Sequence, residues 1–263
     1  MLNVKRKFEA LGEKALAFIR YIGGVTVFFS EILYWIIHPP FRVRHVIKQA
    51  EKIGASSLPI VSLISLFTGM VLALQSAYQM QKIQAEMYIA SLVALSMIRE
   101  LGPVLTALIV AGRCGAAITA EIGTMKVTEQ IDALEALATN PINYLVVPRF
   151  WALLISLITL TIYSDFIGIT GGYLVGVCKL RIPHYTYVKM TFDPLTQSDM
   201  RNGLYKSFVF AIVICVVACF EGMRAKEGAE GVGKATTSSV VRSFVLIIVC
   251  DCLLTAFMYF FGR

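Results

Sequence analysis

Six ionisable residues stand inside apolar sequence: Arg99, Glu100, Arg113, Glu121, Asp165 and Asp251. A charge in hydrocarbon is costly, so such residues mark a pathway or an internal pair. Neighbours on a helix point about 100° apart. Arg99 and Glu100 therefore cannot serve one partner, and the expectation is that one pairs internally while the other meets a polar head group or water. For Asp165, Asp251 and Arg113 a structural network without substrate contact is the competing reading. Catalytic chemistry is not visible. There is no Walker A loop, hydrolase triad or metal-ligand set. GAEGVG at 228–233 lacks the Lys-Ser/Thr pair and the βαβ context of a phosphate loop, so it reads as a flexible turn. Cys114, Cys178, Cys215, Cys219, Cys250 and Cys252 form no CxxC pair, and His38, His45 and His184 are scattered. The cysteines read as small, buried, reduced residues in helix contacts. Any energy for driven transport must come from another chain.

The elements that position these charges follow from composition. Of 263 residues, 57% are hydrophobic and only 16% charged, against roughly 25% charged in soluble domains. Mean hydropathy is +0.72. That balance calls for a bilayer as solvent, and a helix crossing it needs about 20 apolar residues. The net charge of +7 reads as basic flanks beside spans, and no motif supports nucleic-acid binding. Five spans are expected, over about 55–80, 87–123, 146–178, 203–221 and 237–261, with the end of the second protruding. Residues 2–22 place Val4, Phe8, Leu11, Ala15, Phe18 and Ile22 on one stripe, as in an interfacial helix. Residues 21–38 are long enough to span, yet both flanks are basic, which opposes the positive-inside rule. They read as an elbow dipping into the inner leaflet and ended by Pro39 and Pro40. Residues 1–54 thus form an N-terminal interfacial region, and 55–263 a five-span domain with a cytoplasmic N-terminus and an outer C-terminus.

Small residues recur at helical spacing. Ser62, Ser65, Gly69, Ala73 and Ser76 make one stripe, and Gly168, Gly172 and Gly176 another. In lipid, close backbone approach drives helix association. Whether each stripe meets its own chain or a second copy stays open at this level.

Between the second and third spans, TMKVTEQIDALEALATNP (124–141) reads as a short acidic amphipathic helix on the cytoplasmic side. Thr128 is positioned to cap it, with Glu129 and Asp132 favourable to the dipole. Val127, Ile131, Leu134 and Ala138 line one face, and Asn140-Pro141 ends it. An anionic helix avoids an anionic leaflet, so it reads as a partner-docking element.

RELGPVLTALIVAGRCGAAITAEIGTMKVTEQIDALEALATNPINYLVVPRFWA from Arg99, with GAEGVGKATTSSVVRS at Gly228–Ser243 and Gly69-Met70-Val71-Leu72 plus Gln75, resembles the MlaE permease family, which includes YrbE proteins and the chloroplast lipid-import permease. The resemblance implies an all-α, ABC exporter-like permease with an N-terminal elbow and five transmembrane helices. It implies a homodimer with two ATPase subunits and an MCE-domain lipid-binding protein in a bacterial inner membrane. No cofactor is implied on this chain, with ATP and Mg on the ATPase. A glycerophospholipid between protomers would meet Leu66, Met70, Leu72, Leu74, Gln75 and Tyr78, with Arg99 and Glu100 nearby. The family's coupling helix, which seats in the ATPase, corresponds to Glu129, Gln130, Asp132, Leu134, Glu135 and Leu137. Another amphiphile, such as a sterol or a drug, would suit the same fold, and a non-transport scaffold is the third reading.

Overall fold

The computed structural model describes residues 2–38, 42–226 and 228–261. Pro39, Pro40 and the side chains of Val4, Phe8, Leu11, Ala15 and Phe18 lie outside the described residues. The chain runs through helices α1 (Leu2–Ile37), α2 (Val43–Gly54), α3 (Leu58–Gln81) and α4 (Glu86–Val127). Then follow α5 (Gln130–Ala136), α6 (Ile142–Cys178), α7 (His184–Phe192), α8 (Gln197–Met223) and α9 (Gly228–Phe261). Among the described residues, six stretches are long and apolar enough to cross a membrane. The one beyond the five expected spans is Ile19–Ile37, the segment whose basic flanks argue for an elbow.

Helix α6 is the hub. It crosses α3 so closely that a Cβ on Gly69 would strike the Gly168 carbonyl, and one on Gly171 the Leu66 carbonyl. Ser65 and Ser164 share a 2.7 Å hydrogen bond, as do Ser62 and Tyr163. The Ser62/Ser65/Gly69 stripe therefore packs within its own chain. So does the glycine stripe of α6, where Met97 fills the space at Gly168, and Tyr187 that at Gly176. Hydroxyl pairs continue the pattern, with Ser207 donating to Thr161 (2.7 Å) and Thr119 donating to Ser239 (2.8 Å). Each is worth about 0.6 kcal/mol in a membrane.

Two apolar clusters result. The larger joins Ile53, Ile122, Leu153 and Phe210. The smaller packs Ala73, Val93 and Met97 around Tyr187. Burial pushes the Tyr187 hydroxyl up to about 12.

Three local expectations need correction. GAEGVG is not a turn, because α9 begins at Gly228. Within 228–233 only Gly228 takes positive φ (81°), and Glu230 pairs with Lys234 across one helical turn. Helices in membranes tolerate glycine more readily than soluble ones. The cysteines are not uniformly buried, since Cys178 and Cys252 are exposed. Asn140-Pro141 does not terminate α5. The Asn140 side chain instead accepts hydrogen bonds from the Ile142 (2.9 Å) and Asn143 (3.2 Å) amides and so starts α6, while Ala138 turns the chain with φ 54°.

Candidate functional site

Helix α4 carries four of the six charges that interrupt apolar sequence, Arg99, Glu100, Arg113 and Glu121, and it widens into π-turns at Met97–Leu101 and Ala111–Gly115. Residues Met97–Leu101 form a wide π-turn directly before Gly102-Pro103. Proline lacks an N–H and crowds the carbonyl four residues back, and a π-turn absorbs that defect. Gly203 of α8 lies against this turn, where a Cβ would meet the Ile98 carbonyl. The close approach brings the α8 side chains within reach of the pair that α4 presents.

Both members of that pair find ion partners. Arg99 donates to Asp199 at 2.6 Å, and Asp199 is held in a reciprocal cap with Thr196. Glu100 pairs with Lys206. Asp199 and Lys206 lie seven residues apart, on one face of α8, so two side chains diverging by about 100° are served by one helix. The expectation that only one of the two pairs internally is thereby revised. The Arg99 side chain remains 53% exposed, so its guanidinium keeps an open side.

Lys206 is the centre of a network. Its side chain is 2% exposed and also reaches Asp251 (2.9 Å) and Thr255 (2.8 Å) on α9. Thr255 donates to Glu100 at 3.2 Å. One buried ammonium thus ties α4, α8 and α9. Asp165, by contrast, lies against Gly102, and its Oδ1 has no hydrogen-bond partner among the described residues.

The helices differ in what they leave uncovered. On α3, Leu63, Phe67, Val71, Leu74 and Tyr78 form an exposed apolar stripe. Leu74 and Tyr78 were expected in a ligand-facing set, and exposed Gln75 and half-buried Leu66 and Met70 flank the stripe. Leu72 points away, toward the cluster around Tyr187. On α9, Ser239, Ser243 and Ile247 are buried while Val241, Val245, Ile248 and Phe257 are exposed. Helices α3 and α9 are not packed on each other.

At the other end, α5 projects from the bundle. Thr128 does not cap it, because the Thr128 hydroxyl donates back to the Thr124 carbonyl (2.9 Å). Glu129 occupies the cap position in a left-handed conformation (φ 59°). Ile131 is buried and Leu134 packs on the core. The outward side carries Glu129, Gln130, Asp132 and Glu135, with Leu137 at 75% exposure. Asp132 accepts from Lys126 at 2.8 Å.

Sequence reasoning missed Lys206, Asp199, Leu63, Phe67 and Val71. Lys206 had a usable signal, because a lysine inside the fourth apolar run is as costly as the charges singled out on the second. The α3 residues repeat at three- and four-residue spacing, and that period finds the stripe without naming its neighbour.

Long apolar helices, glycine seams and internally paired charges define a polytopic α-helical integral membrane protein. The family model described as Permease MlaE matches residues 46–257, and the chain belongs to that family of ABC permeases. It is 44% identical over 259 residues to a Rickettsia felis protein named "Probable ABC transporter permease protein", covering 98% of this chain and 99% of that one. It is 40% identical over 257 residues to the Haemophilus influenzae "Intermembrane phospholipid transport system permease protein MlaE", covering 95% and 97%. A Synechocystis relative, also named as a probable ABC transporter permease protein, is 37% identical over 237 residues, covering 89% and 90%.

Proposed function

We propose that this chain is the membrane subunit of a phospholipid transporter, a gate without catalytic chemistry that is moved by ATP hydrolysis on a separate subunit. The observation that carries the substrate class is its likeness along nearly the whole chain to the Haemophilus phospholipid permease. The geometry supports the rest. Helices α3 and α9 each carry an exposed apolar face and are not packed on each other within the chain. Two copies meeting through those faces form a cavity lined by Leu66, Met70, Leu74, Gln75 and Tyr78, with Arg99 toward the head group.

Helix α5 is the docking element for the ATPase, which carries ATP and Mg. Its contact residues are Glu129, Gln130, Asp132, Glu135 and Leu137. Leu134 supports the helix from behind, since it packs inward. An MCE-domain protein receives or supplies the lipid. The protein resides in a bacterial inner membrane with its N-terminus cytoplasmic and C-terminus periplasmic, and residues 21–38 act as an elbow.

The test is reconstitution of the chain with its ATPase in proteoliposomes containing labelled phospholipid. ATP-dependent lipid movement that requires the ATPase supports the reading. Movement of a sterol or drug but not of phospholipid supports the other-amphiphile reading, and no ATP-dependent movement of any amphiphile returns the scaffold.

A further inference from the structure

A groove of about 280 Å³ lies between α2 and α4, away from the α3 and α9 faces. Its polar wall is Gln49, Lys52, Arg113 and Glu121, and its apolar wall includes Ile53 and Ile118. The charges in it are not equivalent. Glu121 is doubly neutralised, by Lys52 and by Arg149 (3.1 Å). Arg113 has no carboxylate partner among the described residues. One nitrogen, Nη1, donates to Ser57 Oγ at 2.9 Å and to Cys114 Sγ at 3.5 Å. Ser57 is itself anchored by donating to the Ile53 carbonyl (2.7 Å). The guanidinium is thus held by one arm, with its other N–H groups open to the groove. Taken together, Arg113, Lys52, Arg149 and Glu121 leave an excess of two positive charges.

Depth fixes what this cation can meet. Arg113 stands roughly 40 Å along α4 from Glu86 at about 1.5 Å per residue, and the hydrocarbon core is only about 30 Å thick. Ser57, its anchor, immediately precedes α3. Arg113 therefore sits at the lipid–water boundary on the side where α5 projects. A planar donor fork beside an apolar wall at that depth matches a phosphate diester joined to acyl chains. Basic pockets between helices recognise anionic head groups in this way.

We propose that this groove binds the phosphate of an anionic phospholipid from the leaflet on the α5 side, with Arg113 as the principal contact. The site is separate from the cavity proposed for transported lipid. The inference uses the membrane placement of α4 and not the transport reading, so binding is measured without ATP or any partner.

The experiment places the full chain in phosphatidylcholine nanodiscs doped with phosphatidylglycerol and counts retained lipids by native mass spectrometry. Wild type holds phosphatidylglycerol at this site. Arg113→Gln lowers the retained population roughly tenfold, the scale of one lost charge-assisted contact, and Arg113→Lys keeps part of it. Ala117→Phe, which fills the groove while leaving the cation in place, also loses the lipid and decides the matter should Arg113→Gln fail to fold. Millimolar inorganic phosphate leaves wild-type retention unchanged. Equal retention by wild type and a monodisperse Arg113→Gln or Ala117→Phe protein overturns the proposal, and displacement by inorganic phosphate overturns its assignment to a lipid.

Discussion

Helix α3 meets α6 through glycines and hydroxyls at backbone distance, whereas α9 meets α4 and α8 through side chains, among them Ser239 on Thr119, Arg242 on Glu221 and the partners of Lys206. The first contact has no slack. A Cβ at Gly69 or Gly171 has nowhere to go except into a neighbouring carbonyl, and packing without voids transmits any shift to the whole seam. The second contact is directional. Lys206 holds Glu100, Asp251 and Thr255 together, while most of the remaining α9 surface is exposed. The difference teaches that one seam is fixed by backbone contact, where any added atom collides, and the other by side chains whose partners can be removed one at a time.

The comparison breaks most sharply at the seam. Gly171→Leu should abolish a folded product, because overpacking costs about 1–3 kcal/mol even where side chains yield and here the obstacle is backbone. Detergent-solubilised size-exclusion profiles check this. A monodisperse Gly171→Leu protein with wild-type melting would show that α3 and α6 can separate.

Lys206→Met is the next largest. It strands Asp251 and Glu100, which are 21% and 41% exposed, so the cost falls below the roughly 3–5 kcal/mol of a fully buried broken pair. Adding Glu100→Gln and Asp251→Asn should restore most of the lost melting temperature, since the charges that needed Lys206 are gone. A triple variant as unstable as the single one would mean that Lys206 acts through packing alone.

At α5, the helix proposed to dock the ATPase, Leu137→Arg or Glu135→Lys should leave melting unchanged and reduce coupled ATP hydrolysis by roughly tenfold or more, as for a residue at the centre of an interface. Leu134→Arg is a contrasting control, because Leu134 packs inward and its loss should lower stability.

The smallest effect concerns Tyr187. Its raised value, about 12, means that the folded state keeps the hydroxyl neutral after the unfolded chain begins to ionise near pH 10. Stability is therefore fully present below pH 10 and declines as pH rises toward 12. The melting difference between wild type and Tyr187→Phe should change only above pH 10. A change between pH 6 and 9 would assign the sensitivity to another group.

Much of this architecture was legible in the chain. Apolar run length located the long spans, and the acidic run 124–141 stood out because its charges interrupt a greasy sequence. The Ser62/Ser65/Gly69 stripe announced a close contact but not its partner, since any helix offering small residues can fill that role. Lys206 was not legible as a buried centre because it stands near the start of its apolar run, beside Arg201 and Asn202, where a lysine ordinarily reaches water. Thr128 was misjudged for a physical reason. Its hydroxyl has a competing acceptor one turn back, at Thr124, and composition cannot rank the two. The exposed stripe of α3 was named in part, at Leu74 and Tyr78, by resemblance alone, because apolar residues at helical spacing do not say whether lipid or protein covers them.

The central claim is that an external motor moves this chain through α5. The most direct measurement is ATP-dependent phospholipid movement by the chain reconstituted with its ATPase, with wild type and Leu137→Arg compared at equal folded protein. The account predicts movement that needs the ATPase and collapses in Leu137→Arg. ATP hydrolysis by the isolated chain, or undiminished movement in the variant, would contradict it.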